Sequence, residues 1–233
     1  MARDNDYEKF GKAYADLGIV DSFWLAYRDI PELIRQHVRG KTALDYGCGG
    51  GRPTRFLKSQ GLDVVGVDIS KDMIMESRKR DPEGTYQQIK SGILPYPENS
   101  FDLIFSSIVF LEISTSQEMI KVLKEMKRVL RPGGAIIIVD GTPEAHKNNW
   151  ASFICDWPEN KNLKSGDKGK AVVRGTDIVL YGHIWTDQDY KAAFEKARLR
   201  LVETRKPLAT GNEPFKWYSE TKIPIWVIYT LKK

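Results

Sequence analysis

The 233-residue chain predicts an α/β protein, a largely parallel sheet covered by helices. Two observations carry that prediction. Short apolar runs alternate with stretches of helical periodicity along most of the length, and a glycine-rich turn joins the first such run to a helix. Composition agrees: 41% of residues are apolar, two are cysteine, and mean hydropathy is negative at −0.42.

The elements follow in order. Residues 1–38 are helical in pattern and rich in aromatics (Phe10, Tyr14, Phe23, Trp24, Tyr27), an N-terminal cap ahead of the sheet. Thr42–Tyr46, Asp63–Val67, Tyr86–Ile89, Phe101–Ser106 and Ala135–Val139 read as the first five strands. A helix from Ser116 to Leu130 buries one stripe (Met119, Val122, Leu123, Met126, Val129, Leu130), and Arg131-Pro132-Gly133-Gly134 is expected to stop it and turn the chain into the fifth strand. Residues 141–185 break the alternation, as an insertion too long for an ordinary connection and therefore a candidate lid. Thr186 and Asp189 form a capping pair for another helix, and Leu199–Thr204 and Pro224–Leu231 close the sheet. This divides one domain into a cap (1–38), a core (39–140), a lid (141–185) and a C-terminal part (186–233).

Charge and cysteine usage narrow the function classes. The excess of +5 is absent from residues 1–140, which carry 20 basic and 20 acidic side chains; residues 186–233 carry 10 and 6, without a dense block. A nucleic-acid groove wants its charge on one face, so no nucleic-acid partner is expected. The charged start MARDNDYEKF is unlike a secretory signal and no apolar run reaches membrane-spanning length, so a cytoplasmic protein without a membrane role is expected. Cys48, Cys155, His37, His146 and His183 are too scattered for a metal site.

The turn after the first strand is Asp45-Tyr46-Gly47-Cys48-Gly49-Gly50-Gly51-Arg52-Pro53. The dinucleotide fingerprint fails here, because Arg52 stands where its third glycine belongs, and no Gly-Lys-Ser/Thr follows to make a phosphate loop. The pattern present is acidic-x-Gly-x-Gly-x-Gly, through Asp45, Gly47, Gly49 and Gly51. With Asp68 closing the second strand, ILPYPENSFDLIFSS leading into the fourth and RPGG before the fifth, the sequence resembles the class I S-adenosylmethionine-dependent methyltransferases from about residue 41 to 140, with a tail to 233.

That resemblance implies a seven-stranded sheet whose last strand is antiparallel, S-adenosylmethionine as cofactor, and a division of labour among residues. Asp68 would accept the ribose hydroxyls, Asp45 would reach the ammonium through the loop, and Gly47 and Gly49 would make room for the methionine moiety. Ile69 and Met73 would pack on the adenine, and Ser106 would flank the cofactor from the fourth strand. Relatives often place an acidic-apolar pair over the adenine where this chain has Lys90 and Ser91, so the adenine contacts fall to Ser91, Gly92 and Ile93.

Methyl transfer needs an acceptor held in line with water excluded. Glu112, just after the fourth strand, is the acidic group best placed to take an acceptor proton, and His183 is the second candidate. Tyr14, Trp24, Phe110, Trp150, Tyr181 and Trp185 are expected to wall an enclosed acceptor pocket. The reading is an enzyme methylating an N or O atom of a small molecule. An RNA- or protein-directed methyltransferase and a non-catalytic cofactor-binding module stay open as alternatives.

Overall fold

A computed structural model describes Asn5 and residues 7–233; the first residues of the expected cap, 1–4 and 6, lie outside the described residues. Three helices come first, α1 (Tyr7–Ala15), α2 (Ser22–Arg28) and α3 (Ile30–His37). The core then runs β1 (Thr42–Tyr46), α4 (Arg52–Ser59), β2 (Asp63–Asp68), α5 (Lys71–Arg80), β3 (Thr85–Gln88), β4 (Phe101–Ser107), a 3-10 turn (Phe110–Glu112), α6 (Ser116–Val129) and β5 (Leu130–Gly141). The lid is a small sheet of its own, β6 (Phe153–Ile154), β7 (Lys168–Val173) and β8 (Val179–His183). The chain finishes with α7 (Asp187–Lys196), β9 (Arg200–Arg205) and β10 (Trp226–Lys232).

The seven strands of the main sheet lie in the order β3-β2-β1-β4-β5-β10-β9, parallel from β3 to β5, with β10 antiparallel to both neighbours. The period of two along each strand splits the core into two layers. Leu103, Phe105, Ile137 and Val139 face α2, α3 and Leu57, while Ile104, Ile136 and Ile138 face α6 and α7. Burial on both faces is why Ala135 to Val139 read as an unbroken apolar run.

This strand order fixes where a ligand can sit. From β1 the chain moves outward to β2 and β3, then returns to the other side as β4, so the crossovers diverge between β1 and β4. That divergence opens a crevice at the strands' C-terminal ends. The lid and α1 cover this edge. The lid is fastened by buried hydrogen bonds: Ser22 donates to Glu220 (2.6 Å), Ala151 N–H donates to the same carboxylate oxygen (2.6 Å), and the Trp226 indole donates to the Ser22 carbonyl (2.6 Å).

Two expectations about local structure need correction. The helix stops before Arg131 to Gly134 as expected, at Val129, but that segment belongs to the strand: β5 begins at Leu130, opposite Phe101, and the irregularity is absorbed by a register shift between Phe101 and Leu103, with Gly133 at φ 82°. The insertion, read as an over-long connection without strands of its own, contains an antiparallel sheet, because Val172, Val173, Ile154 and Phe153 pair across strands and bury an apolar face. Among the described residues no helix is long and apolar enough to cross a membrane. The C-terminal cations are tied down far from the crevice: Lys232 donates to the carbonyls of His37 and Gly133, and Lys233 to that of Leu130 and to the Asn99 side chain.

Candidate active site

A cleft of about 680 Å³ occupies the crevice, floored by the glycine loop and the end of β4 and roofed by α1 and the lid. Its first wall is built by the turn that leaves β1. Gly47, Gly49 and Gly51 have φ of 77°, 51° and 81°, a region that side chains disfavour. They serve different ends. A Cβ on Gly49 would meet nothing nearer than Met73 Cε at 3.8 Å, so this glycine opens onto the cleft. A Cβ on Gly47 would strike Val109 at 2.3 Å, and one on Gly51 would press on Tyr86, Arg55 and Ser77. Gly51 is thus needed for packing, while Gly47 lines the cleft with no space for a side chain beside Val109. Gly50 does a fourth job, since a Cβ there would lie 2.3 Å from that of Ala15 and push α1 off the loop.

Asp68 ends β2 with its carboxylate on the cleft. One oxygen accepts the Gly49 N–H (2.9 Å) and the other the Ser70 N–H (2.7 Å), so the loop and the strand end are locked together. The N-cap of α5 is Ser70, whose hydroxyl accepts from Met73 N–H, which leaves Asp68 to the cleft. Asp45 lies beneath the loop, fully buried and away from the cleft lining. Its Oδ2 accepts the Thr54 hydroxyl (2.5 Å), while Oδ1 is buried without a partner among the described residues. Burial pushes this carboxyl up to about 7, with the Asp68 charge adding to the rise and Thr54 opposing it.

The other end of the cleft is polar in an unexpected way. Ser91 lines it and donates to Glu118 Oε1 (2.8 Å), so α6 brings a carboxylate to the place where Lys90 and Ser91 had left none. Ile69 and Met73 line the same end. Gly92 and Ile93 do not: Gly92 faces Lys121, and Ile93 is 50% exposed, because the Lys90–Ile93 bridge turns this segment outward. Ser106 is likewise displaced by the strand's alternation, its buried side chain pointing away while Ser107 lines the cleft.

Beyond β4 the chain is strained. Ile108 has φ 61°, costly for a β-branched residue, and its N–H is held by the Val139 carbonyl (2.7 Å). The 3-10 turn that follows presents Glu112 to the cleft, and its Leu111 N–H donates to the buried Asp140 carboxylate (3.0 Å). Asn5 clamps the scene from above. Its amide donates to Glu112 Oε1 (3.2 Å) and to the Tyr181 carbonyl (3.0 Å), and accepts from Tyr181 N–H (2.8 Å). Ile108, Glu112, Asn5, Tyr14 and Tyr181 also border a second, inner lobe of about 50 Å³ beneath the lid. His183 lines the cleft, with its Nδ1 3.0 Å from the Gly166 carbonyl and its ring stacked on Trp185.

Of the aromatic residues expected around an acceptor, Tyr14 and Tyr181 are in the lining and four are not. Phe110 is fully buried against Tyr190, and Trp150 is fully buried with its indole donating to the Ala145 carbonyl (2.7 Å). Trp185 is held in the α6–α7 layer by a bond to the Ile113 carbonyl (3.2 Å), and Trp24 packs outward on Phe215 under Arg28. Large indoles were used to fasten the cap, where buried area is worth most. Asn5, Arg52, Ser107, Ile108, Val109, Glu118 and Lys168 line the cleft without having been singled out; only Arg52, next to the glycine run, carried a local signal.

The donor set fits S-adenosylmethionine: a backbone cradle open at Gly49, a carboxylate at the end of β2, and the Ser91–Glu118 pair at the far end of the cleft. The profile of the family described as Methyltransferase domain matches residues 44–138. An uncharacterized methyltransferase of Synechocystis is 36% identical over 101 residues, 43% of this chain and 47% of that protein, so the chain spans less than half of that relative's length. A demethylmenaquinone methyltransferase of Bacillus velezensis is 31% identical over 159 residues, 64% of this chain and 67% of the relative. Among solved structures, an S-adenosylmethionine-dependent methyltransferase of Clostridium acetobutylicum aligns with a TM-score of 0.65 over 97% of this chain and 98% of that one, at 17% identity, a likeness of fold.

Proposed function

Because the chain belongs to the class I S-adenosylmethionine-dependent methyltransferases, we propose that it is a methyltransferase for a small, largely apolar molecule, acting on an N or O atom. The observation that carries this reading is the enclosure of the transfer point. Where β4 ends, Asn5, Tyr14 and Tyr181 stand over the cleft and also border the small lobe under the lid, which supports a pocket of small-molecule size. A macromolecular acceptor would need that side open. The basic residues that favour such an acceptor are engaged at the opposite edge, as with Lys232 and Lys233.

Bound there, the cofactor supplies an electrophilic methyl group on a sulfonium. The chain's own residues bind and position. Asp68 accepts the ribose hydroxyls, Gly49 lets the backbone approach the methionine part, and the Ser91–Glu118 pair takes the adenine amine that the Lys90-Ser91 segment alone would not hold. Glu112 receives the acceptor's O–H or N–H, oriented by Asn5 and by the turn that Asp140 secures. Tyr14 and Tyr181 exclude water, which favours in-line attack by a correctly held lone pair.

The test is turnover of S-adenosylmethionine by the full chain against a panel of phenols, catechols and primary and secondary amines, with S-adenosylhomocysteine and the methylated product measured by mass spectrometry. Product from at least one small acceptor is expected. Transfer only to RNA or to protein would overturn the reading.

A further inference from the structure

The inner lobe contains a histidine that the reaction as described does not use. His146 follows β5 on the turn Thr142–Lys147 and is 8% exposed. Its imidazole lies against Gly169 of β7 and Gly182 of β8, which are register partners across the lid sheet. A Cβ on Gly169 would lie 2.5 Å from ring atoms Cγ and Cδ2; one on Gly182 would lie 3.2 Å from Nε2 and 2.8 Å from Leu111 Cδ1. Neither glycine has a positive φ, so the backbone does not require glycine at either position. The space does. Glycine inside a strand weakens it and marks the close approach of another group, and here two facing glycines cut a slot shaped for one ring.

A phenyl or isobutyl group would fill that slot equally well. An imidazole instead brings one N–H donor and one acceptor nitrogen into surroundings built from Ala145, Phe153, Ala171 and Leu180. Among the described residues neither ring nitrogen makes a hydrogen bond, and neither is sealed off as a fully buried unsatisfied atom, so the ring can offer them to a group in the lobe it lines. Burial draws the imidazole down to about 4, with His183 acting in the same direction, and pushes the neighbouring Cys155 thiol up to about 12. Both are therefore neutral near pH 7, and Glu112 stands at the mouth. The lobe's volume of about 50 Å³ is a third of the ~150 Å³ that encloses a benzene ring, so it admits the edge of a molecule and not a whole ring.

We propose that His146 is an acceptor-binding residue, and that the acceptor carries an uncharged hydroxyl on an aromatic or otherwise apolar frame, with that hydroxyl seated in the lobe against the imidazole. A carboxylate at this end would be desolvated beside Glu112 with no lysine or arginine among the lobe's described lining residues, and an ammonium would pair with Glu112 at the mouth rather than with the neutral imidazole. The inference rests on the small-molecule reading above and adds the chemical class of the molecule and the residue that selects it.

The test uses the full chain saturated with S-adenosylhomocysteine, titrated with phenol and, separately, with benzene, following ¹⁵N-imidazole resonances and affinity. Wild type is expected to bind phenol about tenfold more tightly than benzene, with the His146 ring nitrogens shifting only for phenol. His146→Phe, which keeps a ring in the slot, should abolish the preference with S-adenosylhomocysteine affinity unchanged. His146→Gln, which restores a donor and an acceptor, should recover part of it. Equal binding of the two probes, no phenol binding at millimolar concentration, or a preference that survives in His146→Phe overturns the proposal. If His146→Phe fails to fold, the wild-type resonances and His146→Gln decide. Failure of wild type to bind S-adenosylhomocysteine would instead strike the cofactor assignment beneath it.

Discussion

Replacing Asp140 by Asn removes a buried acid whose protonation is tied to folding. Asp140 is fully buried at the end of β5, where Oδ1 accepts the Gly141 N–H (2.7 Å) and Oδ2 the Leu111 N–H (3.0 Å). Burial raises its carboxyl to about 7 against the opposing effect of these bonds, whereas an exposed aspartate in the unfolded chain titrates near ~3.9. Between those values the native state holds a proton that the unfolded state has lost. The stabilisation is therefore complete below ~3.9 and disappears as pH rises through about 7. Integrating the linkage from about pH 5 to about pH 8 gives a loss of about 2.6 kcal/mol attributable to this one group. For a chain of this size that corresponds to about 5–10 °C in Tm. Asn does not titrate, so Asp140→Asn should lose that much less over the same interval, while its weaker acceptance from Leu111 and Gly141 lowers Tm by a pH-independent amount. The assay is calorimetric Tm of both proteins, free of cofactor, across that range; other titrating groups cancel in the difference. Parallel Tm curves would refute the reasoning.

Other outcomes follow from the same geometry. Glu112→Gln should keep S-adenosylhomocysteine affinity, measured by calorimetry, while turnover falls about 100-fold; unchanged turnover would remove Glu112 from the mechanism. Gly50→Val places a side chain where the new Cβ lies 2.3 Å from that of Ala15, so α1 should lift from the glycine loop and cofactor affinity should drop at least about tenfold for want of a closed cleft. Glu118→Ala should weaken S-adenosylhomocysteine about five- to tenfold through loss of the Ser91-linked carboxylate, with Glu118→Gln intermediate; equal affinities would place the adenine amine elsewhere.

The legible part of the site was the part held by nearest neighbours in the chain. The glycine loop, Asp68, Ile69, Met73 and Ser91 all sit at or just past the C-terminal ends of consecutive strands, so a strand followed by a helix already puts them on one edge. Glu112 was legible for the same reason, being a few residues beyond β4. Glu118 was not, because its contact with Ser91 depends on how α6 leans across the sheet. The tryptophans misled. Their positions outside the strands correctly implied a cap, but whether an indole faces a cavity or a core depends on packing partners distant in sequence, such as Ala145 for Trp150 and Ile113 for Trp185.

By itself, then, the sequence determined the α/β sheet and its glycine loop, since these rest on local periodicity, turn glycines and strand-end acids that need only a few residues to be read, and the cofactor followed from the family resemblance that those same motifs carry. The tertiary structure alone decided what stands over the crevice. The lid sheet, the Asn5 bridge from the N-terminal segment to Tyr181 and Glu112, and the glycine slot around His146 each join residues separated by tens to more than a hundred positions. No local pattern encodes such a juxtaposition; it exists only once the strands have fixed which chain ends meet above the crevice.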